Sequence, residues 1–319
     1  MTQLKPNLYP LTFHPIYKEK LWGGRRLEEL LDRSLPSGAI GESWDVAAHA
    51  NGVSVVDQGE LAGKSLVELV RLYGSELLGV KGQEMDGKFP LLLKFIDARQ
   101  DLSVQVHPDD NYAALNLQGE LGKTEMWYIV HSDPGAWIIW GLRPGVTREQ
   151  FSEAVEKGGS QILDCLNIVQ VKAGEIYPIS AGLVHALGAG VVVAEIQQNS
   201  DTTYRVYDWD RVDDQGQARE LHIAQALEVI DFSQEAYSMD YQFARCNQHF
   251  QLHVHNQPIA QKMKLEDSFH ILTSVDKDAS ITVGESITKL RKGQSCLVPA
   301  CLGCYVLDGK GTVLQSTLP

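Results

Sequence analysis

Between residues 89 and 197 the chain reads as short runs rich in Val, Ile, Trp and Tyr, each bounded by Gly, Pro or Asp. The runs are Phe89–Ala98, Leu102–Val106, Met126–Val130, Ala136–Trp140, Ile168–Val171, Glu175–Ile179 and Val191–Gln197. Residues of this type at this spacing read as β-strands. Helical patterns do not alternate regularly with them, which excludes a doubly wound parallel sheet and points to an antiparallel sandwich or barrel. The fold class expected is therefore mainly β, with short helical insertions.

The helical insertions are marked by their caps. Ser65-Leu66-Val67-Glu68 is a capping box ahead of apolar Leu69, Val70 and Leu72. Thr147 to Gln150 repeats the pattern, with Gly158 and Gly159 as a stop. Pro108-Asp109-Asp110 opens a short helix toward Leu117, its acids placed well for the helix dipole. A further amphipathic stretch runs from Glu220 to Ile230.

An internal echo divides the chain. Lys172 to Ile179, followed by Ser180 to His185, is echoed by Lys292 to Val298 followed by Pro299 to Cys304, each with a glycine near its start and another in its turn. Both read strand, turn, strand, and both run on to an apolar strand, Val191–Ala194 and Val313–Leu314. Two domains are expected, a larger one over 1–235 and a smaller, degenerate jelly-roll-like one over 236–319. Cys304 stands where His185 stands in the first copy, so metal chemistry is expected in the first copy alone.

Charge limits the partners. The 319 residues carry a formal net charge of −13, which repels phosphate backbones and makes nucleic acid an unexpected partner. A small anionic substrate would need a local cluster of cations. No stretch approaches the roughly 18 apolar residues of a membrane span, and the N-terminus shows no apolar core of a signal peptide. Five cysteines do not form a disulfide framework. A cytoplasmic protein, a monomer or weak homodimer, is expected.

The chemistry gathers on four residues. Gln105 and His107 are two apart on an expected strand, so their side chains share a face. Glu125 opens the next strand, and His185 lies within apolar Leu183-Val184-His185-Ala186-Leu187. Two imidazoles, a carboxylate and an amide oxygen are a metal set with room for a further ligand. Taken singly, His107 before Pro108 reads as a turn residue and His185 as a satisfied core histidine; together, the ligand and structural readings balance. His253-Val254-His255, with His270 downstream, has the same spacing but polar surroundings, and reads as a solvated edge strand. Cys301-x-x-Cys304 with Cys296 reads as small buried hydrophobes, since no second CxxC is present and no basic neighbour lowers a thiol.

Charged residues in apolar runs complete the set. Lys94 interrupts Leu91 to Ile96, where a lysine is costly unless paired or facing a cavity. Lys123 precedes Glu125 by two, and Arg205 follows the Val191–Gln197 run. Three such cations near one barrel end would attract an anionic sugar, although Lys123 and Arg205 also read as surface charges. Glu195, among Val191 to Ile196, reads as a proton-transfer group or as a buried partner of Arg205 or Lys94.

These residues fall in motifs that resemble type I phosphomannose isomerases, zinc enzymes with a cupin fold. The motifs are Leu21-Trp22-Gly23-Gly24, Gly41-Glu42-Ser43-Trp44, Leu102 to Pro108, Gly122 to Trp127, Val184-His185-Ala186 and Glu195 to Arg205 around Asn199-Ser200-Asp201. They cover roughly residues 21–210 in order. The resemblance implies one Zn²⁺ on Gln105, His107, Glu125 and His185, a substrate site lined by Lys94, Lys123, Asp201 and Arg205, and Glu195 as acid/base. It implies interconversion of mannose 6-phosphate and fructose 6-phosphate; for an enediol route, Glu195 is the candidate base, Lys123 the candidate shuttle between oxygens and Arg205 the electrostatic clamp. A non-catalytic sugar-binding or regulatory cupin with a structural metal is the alternative, and an Fe(II) dioxygenase a further one. Val206 to Arg211 departs from the long-form run that contacts phosphate, so those contacts do not carry over.

Overall fold

The computed structural model describes residues 5–85, 87–213, 215–233, 246–256 and 259–319. The first barrel is two antiparallel sheets face to face. One has six strands in the order Ile176–Ile179, Glu125–Ser132, Val191–Gln198, Leu91–Ala98, Ile40–Val46, Ile16–Gly24. The other has five, in the order Leu166–Gln170, Trp137–Leu142, His185–Leu187, Val104–Val106, Tyr204–Tyr207.

The continuous apolar runs arise because the six-stranded sheet is covered on both faces. Trp127, Ile129, Val191, Val193, Ile96 and Ala98 point into the barrel. Met126, Tyr128, Val192, Ala194, Ile196, Leu93 and Phe95 point the other way, into a core shared with Leu66, Leu69, Leu252, Ile271, Leu297 and Leu314. Each capping box forms as its sequence requires, on helices Leu66–Tyr73 and Arg148–Lys157. Asp109 caps Asp110–Asn116, and the last helix narrows to Ile223–Val229. The strands Ile16–Gly24 and Ile40–Val46 and the helix Arg26–Leu31 were not among the expected elements; their polar residues and register shifts hide the strand alternation.

Eight strands of the second barrel repeat eight of the first. Its inner sheet runs Leu11–Thr12, Ser295–Val298, His270–Ser274, Val313–Thr317, Gln251–His255. Its outer sheet runs Ile259–Lys264, Cys304–Gly309, Ala279–Val283, Ser286–Leu290. The echo noted in sequence thus extends to eight strands with the same pairing order. His185 and Cys304 each open the corresponding strand, but His185 is buried and Cys304 exposed. The expected 235/236 boundary lies outside the described residues, and the N-terminal strand Leu11–Thr12 pairs with Ser295–Val298. Leu11–Thr12 therefore belongs to the second barrel's sheet.

Candidate metal centre and substrate cavity

Strand register brings the four expected ligands together. Gln105 lies opposite His185 on one side and opposite Arg205 on the other, a row across the five-stranded sheet. Glu125 comes from the facing sheet, as the first residue of its strand. His185 Nε2 is 3.1 Å from His107 Nε2 and 3.3 Å from Gln105 Nε2. Glu125 places one oxygen 3.2 Å from His107 Nε2 and the other 3.9 Å from His185 Nε2. The ligand atoms of His107, Glu125 and His185 lie within 4.8 Å of one another, all buried.

The donor set fits a divalent cation. His185 Nδ1–H donates to the Leu183 carbonyl at 2.8 Å, which leaves the Nε2 lone pair facing His107 and Glu125. Burial, with Lys123 adding to it, holds His107 down at about 3, so its ring is neutral. Burial raises Glu125, but Lys123 and His107 outweigh it and keep the carboxylate charged. Glu125 Oε2 is buried without a hydrogen-bond partner among the described residues. That orphaned oxygen, 3.9 Å from His185 Nε2, is satisfied when a cation sits between the carboxylate and the imidazoles.

Beside these ligands opens a cavity of about 270 Å³, lined by Lys20, Lys94, Lys123, Arg205 and Arg219 against Glu42, Glu125, Glu195 and Asp201. The cations outnumber the carboxylates, so the local field opposes the chain's overall negative charge. A larger cavity of about 530 Å³ near Tyr9, Asp57 and Arg291 includes none of the ligands. Lys123 Nζ is 3.1 Å from Glu125, and Lys94 Nζ is 2.9 Å from Glu195. Lys94, not Arg205, is therefore the partner of Glu195. The Trp127 indole donates to Glu195 at 2.8 Å. Burial and the nearby Glu125 hold Glu195 above the ordinary carboxylate range, against the pull of Lys94. Asp201 accepts from Asn51 at 2.7 Å at the cavity edge.

Arg205 differs from the other cations. It donates to the Glu220 carbonyl at 2.8 Å, but forms no ion pair among the described residues. Arg219, which lines the same wall, is held by Asp208. Sequence reasoning missed Arg219, which lies in a polar stretch without any pattern. It also missed Lys20, although Lys20 stands just before the Leu21 to Gly24 motif.

Glu42 shows how strongly these cations act. Burial raises its carboxyl, yet Lys94 and Lys20 outweigh burial and hold it at about 2, below the ordinary 4.5. A depressed carboxylate stabilises the fold above pH 4.5, and that contribution is lost as pH falls toward 2. The shift corresponds to about 3 kcal/mol. Stability measured by denaturant at a series of pH values is expected to fall less steeply over this window in Glu42→Gln than in the native chain.

Lys123 is positioned by a clamp that the sequence did not reveal. The Gly122 amide donates to Asp110 Oδ1 at 2.8 Å, the Lys123 amide to the Pro108 carbonyl at 2.9 Å, and the Thr124 amide to Gln198 Oε1 at 3.0 Å. Gln198 Nε2 closes the clamp onto Asp110 Oδ1 at 2.9 Å. A Cβ on Gly122 would lie 2.5 Å from the Asp110 nitrogen, so the turn requires glycine. Misplacement of a reacting group by an ångström costs on the order of 10²-fold. Asp110→Ala is expected to lower kcat by about 10–100-fold with KM little changed. Asp110→Asn, which keeps the accepting oxygen, should restore most of it; equal losses in both would remove the positioning role.

The other motifs carry no such geometry at the catalytic end. Gln251–His255 is an edge strand, as expected. Of the three cysteines expected to be buried only Cys296 is, and burial pushes its thiol up; Cys301 and Cys304 are free and exposed.

A jelly-roll barrel in which two histidines, a glutamate and a glutamine converge between its sheets is a metal-binding cupin. Residues 11–131 match the family model for the catalytic domain of type I phosphomannose isomerase, and residues 239–318 the cupin domain of mannose-6-phosphate isomerase. Mannose-6-phosphate isomerase ManA of Bacillus subtilis (strain 168) is 38% identical over 320 residues, covering 97% of this chain and 99% of the relative. The Streptococcus mutans mannose-6-phosphate isomerase is 36% identical over 316 residues, covering 96% and 98%. A crystal structure of the B. subtilis enzyme superposes with a TM-score of 0.87 at 33% identity, over 96% of this chain and 99% of that one. The chain belongs to the type I phosphomannose isomerase family. None of its helices among the described residues is long and apolar enough to cross a membrane.

Proposed function

We propose that this chain interconverts mannose 6-phosphate and fructose 6-phosphate with one Zn²⁺ held by Gln105, His107, Glu125 and His185. The observation that carries this is the convergence of those four side chains beside a cavity with more cations than carboxylates. A bound zinc ion supplies Lewis-acid stabilisation of negative charge developing on a sugar oxygen. Every other task falls to side chains. Arg205, without an ion pair among the described residues, and Arg219 attract the anionic end of the substrate at one wall. Glu195 takes the proton from one carbon and returns it to the other, so an enediol lies between. Its raised proton affinity suits that exchange. Lys94 holds the Glu195 carboxylate in place, and Lys123 passes a proton between the two oxygens. Asp201 binds a sugar hydroxyl. We place the reaction in the cytoplasm, in a monomer or weak homodimer whose two barrels are domains.

The test is turnover of mannose 6-phosphate coupled to fructose 6-phosphate detection, before and after chelation. Activity is expected, lost with the metal and restored by zinc. A fully metallated protein without turnover would make this a sugar-binding module instead. Iron content together with oxygen uptake would make it a dioxygenase.

A further inference from the structure

The cavity wall that carries Arg205 is organised around one buried carboxylate. Asp208 accepts twice from Arg219, from Nε at 2.8 Å onto Oδ2 and from Nη2 onto Oδ1. Arg211 approaches the same carboxylate with Nη1 3.7 Å from Oδ1, while its Nη2 donates to the Asp101 carbonyl at 2.6 Å. Arg219 lines the cavity beside Arg205. Burial and the like charge of Arg219 both lower the proton affinity of Arg205. Three guanidiniums thus gather at one buried carboxylate, and Arg205 Nε and Arg211 Nη1 are buried without a hydrogen-bond partner among the described residues. The Glu220 carboxylate is exposed and lies 3.9 Å from His222.

The backbone is bent to suit this arrangement. Trp209 and Asp210 take left-handed φ angles of 59° and 54°, a conformation that residues with a side chain mostly avoid. The Trp209 indole secures the turn by donating to the Leu102 carbonyl at 2.7 Å, and the Arg211 amide donates back to the Asp208 carbonyl at 3.0 Å. On the other side, Arg219 to His222 runs beside the strand Tyr204–Tyr207. The His222 amide donates to the Arg205 carbonyl at 2.8 Å, and the Glu220 carbonyl accepts from Arg205 Nη1 at 2.8 Å. The segment that presents Arg219 therefore also fixes Arg205.

We propose that Asp208 is a positioning residue for Arg219, and that Arg219 so held makes the site select a phosphate-terminated sugar over the free sugar. This rests on the reading of the cavity as a sugar-phosphate site. The two bonds to Asp208 lock the plane of the guanidinium and leave Nη1 without a bond among the described residues. Arg211 offsets the Asp208 charge, so Arg219 keeps its attraction for an anion. A phosphate group brings close to two negative charges and three acceptor oxygens to this wall, and a sugar hydroxyl brings neither.

The zinc-loaded full chain is compared with Arg219→Gln, Asp208→Asn and the double variant. The readouts are KM and kcat for mannose 6-phosphate and calorimetric binding of mannose 6-phosphate and of inorganic phosphate. Each single variant is expected to raise KM and weaken both ligands by at least about tenfold, with kcat changed less. The double variant should match Arg219→Gln alone, because Asp208 acts through Arg219. Asp208→Glu keeps the buried charge and moves it by one methylene, so it tests the same positioning in a chain that retains its counter-charge; a raised KM is expected there too. Phosphate binding by Arg219→Gln within about twofold of native, or single losses that add in the double variant, would overturn the proposal. Binding is read without turnover, so an inactive chain that holds phosphate through Arg219 would sink the isomerase reading and leave this one standing.

Discussion

Replacing His185 by alanine is expected to abolish metal retention and turnover together. The imidazole is fully buried, its Nδ1 edge is fixed by Leu183, and its Nε2 faces His107, Gln105 and Glu125. No other nitrogen donor among the described residues can replace it in that row of the sheet, where Gln105 is flanked by His185 and Arg205. Lewis-acid stabilisation contributes several kcal/mol, so kcat should fall by about 10³-fold or more. Elemental analysis of the dialysed variant and kcat at saturating zinc measure the two losses separately. A His185→Ala protein that keeps its zinc and at least about a tenth of the native rate would remove His185 from the ligand set.

Glu195→Gln is the second large effect, and it acts on chemistry rather than on metal. The amide retains an oxygen for the Trp127 indole but can neither take up a proton nor neutralise Lys94. Loss of a general base costs about 10²–10⁴ in rate. The expected result is a drop in kcat of that size with zinc content unchanged. Near-native turnover with metal bound would assign the proton transfer to another group. Lys94 retains Glu42 as a counter-charge in this variant, so the fold is expected to survive.

The division between legible and hidden features follows physical lines. Caps are local, a hydroxyl or carboxylate reaching an amide three residues on, so Ser65, Thr147 and Asp109 were readable and formed as expected. Lys94 and Glu195 stood out because a charge in an apolar run must find a partner, and they found each other across adjacent strands. Arg219 and Lys20 lie in polar stretches, where a charge raises no question until the fold turns it inward. The clamp of Asp110 and Gln198 on the Lys123 turn joins residues 88 apart, and such pairing leaves no local trace.

By itself the sequence determined the antiparallel β architecture, the two related copies, the loss of histidine at Cys304 and the four residue types of the metal set. Those features depend on local chemistry and on alternation along a strand, which are written in neighbouring residues. Only the tertiary structure decided that the expected ligands meet, that Glu195 pairs with Lys94, that Arg205 has no ion pair among the described residues, and that the strand Leu11–Thr12 joins the second barrel. Each of these depends on which strands lie side by side and in what register, and a shift of one residue would turn every one of those side chains to the opposite face.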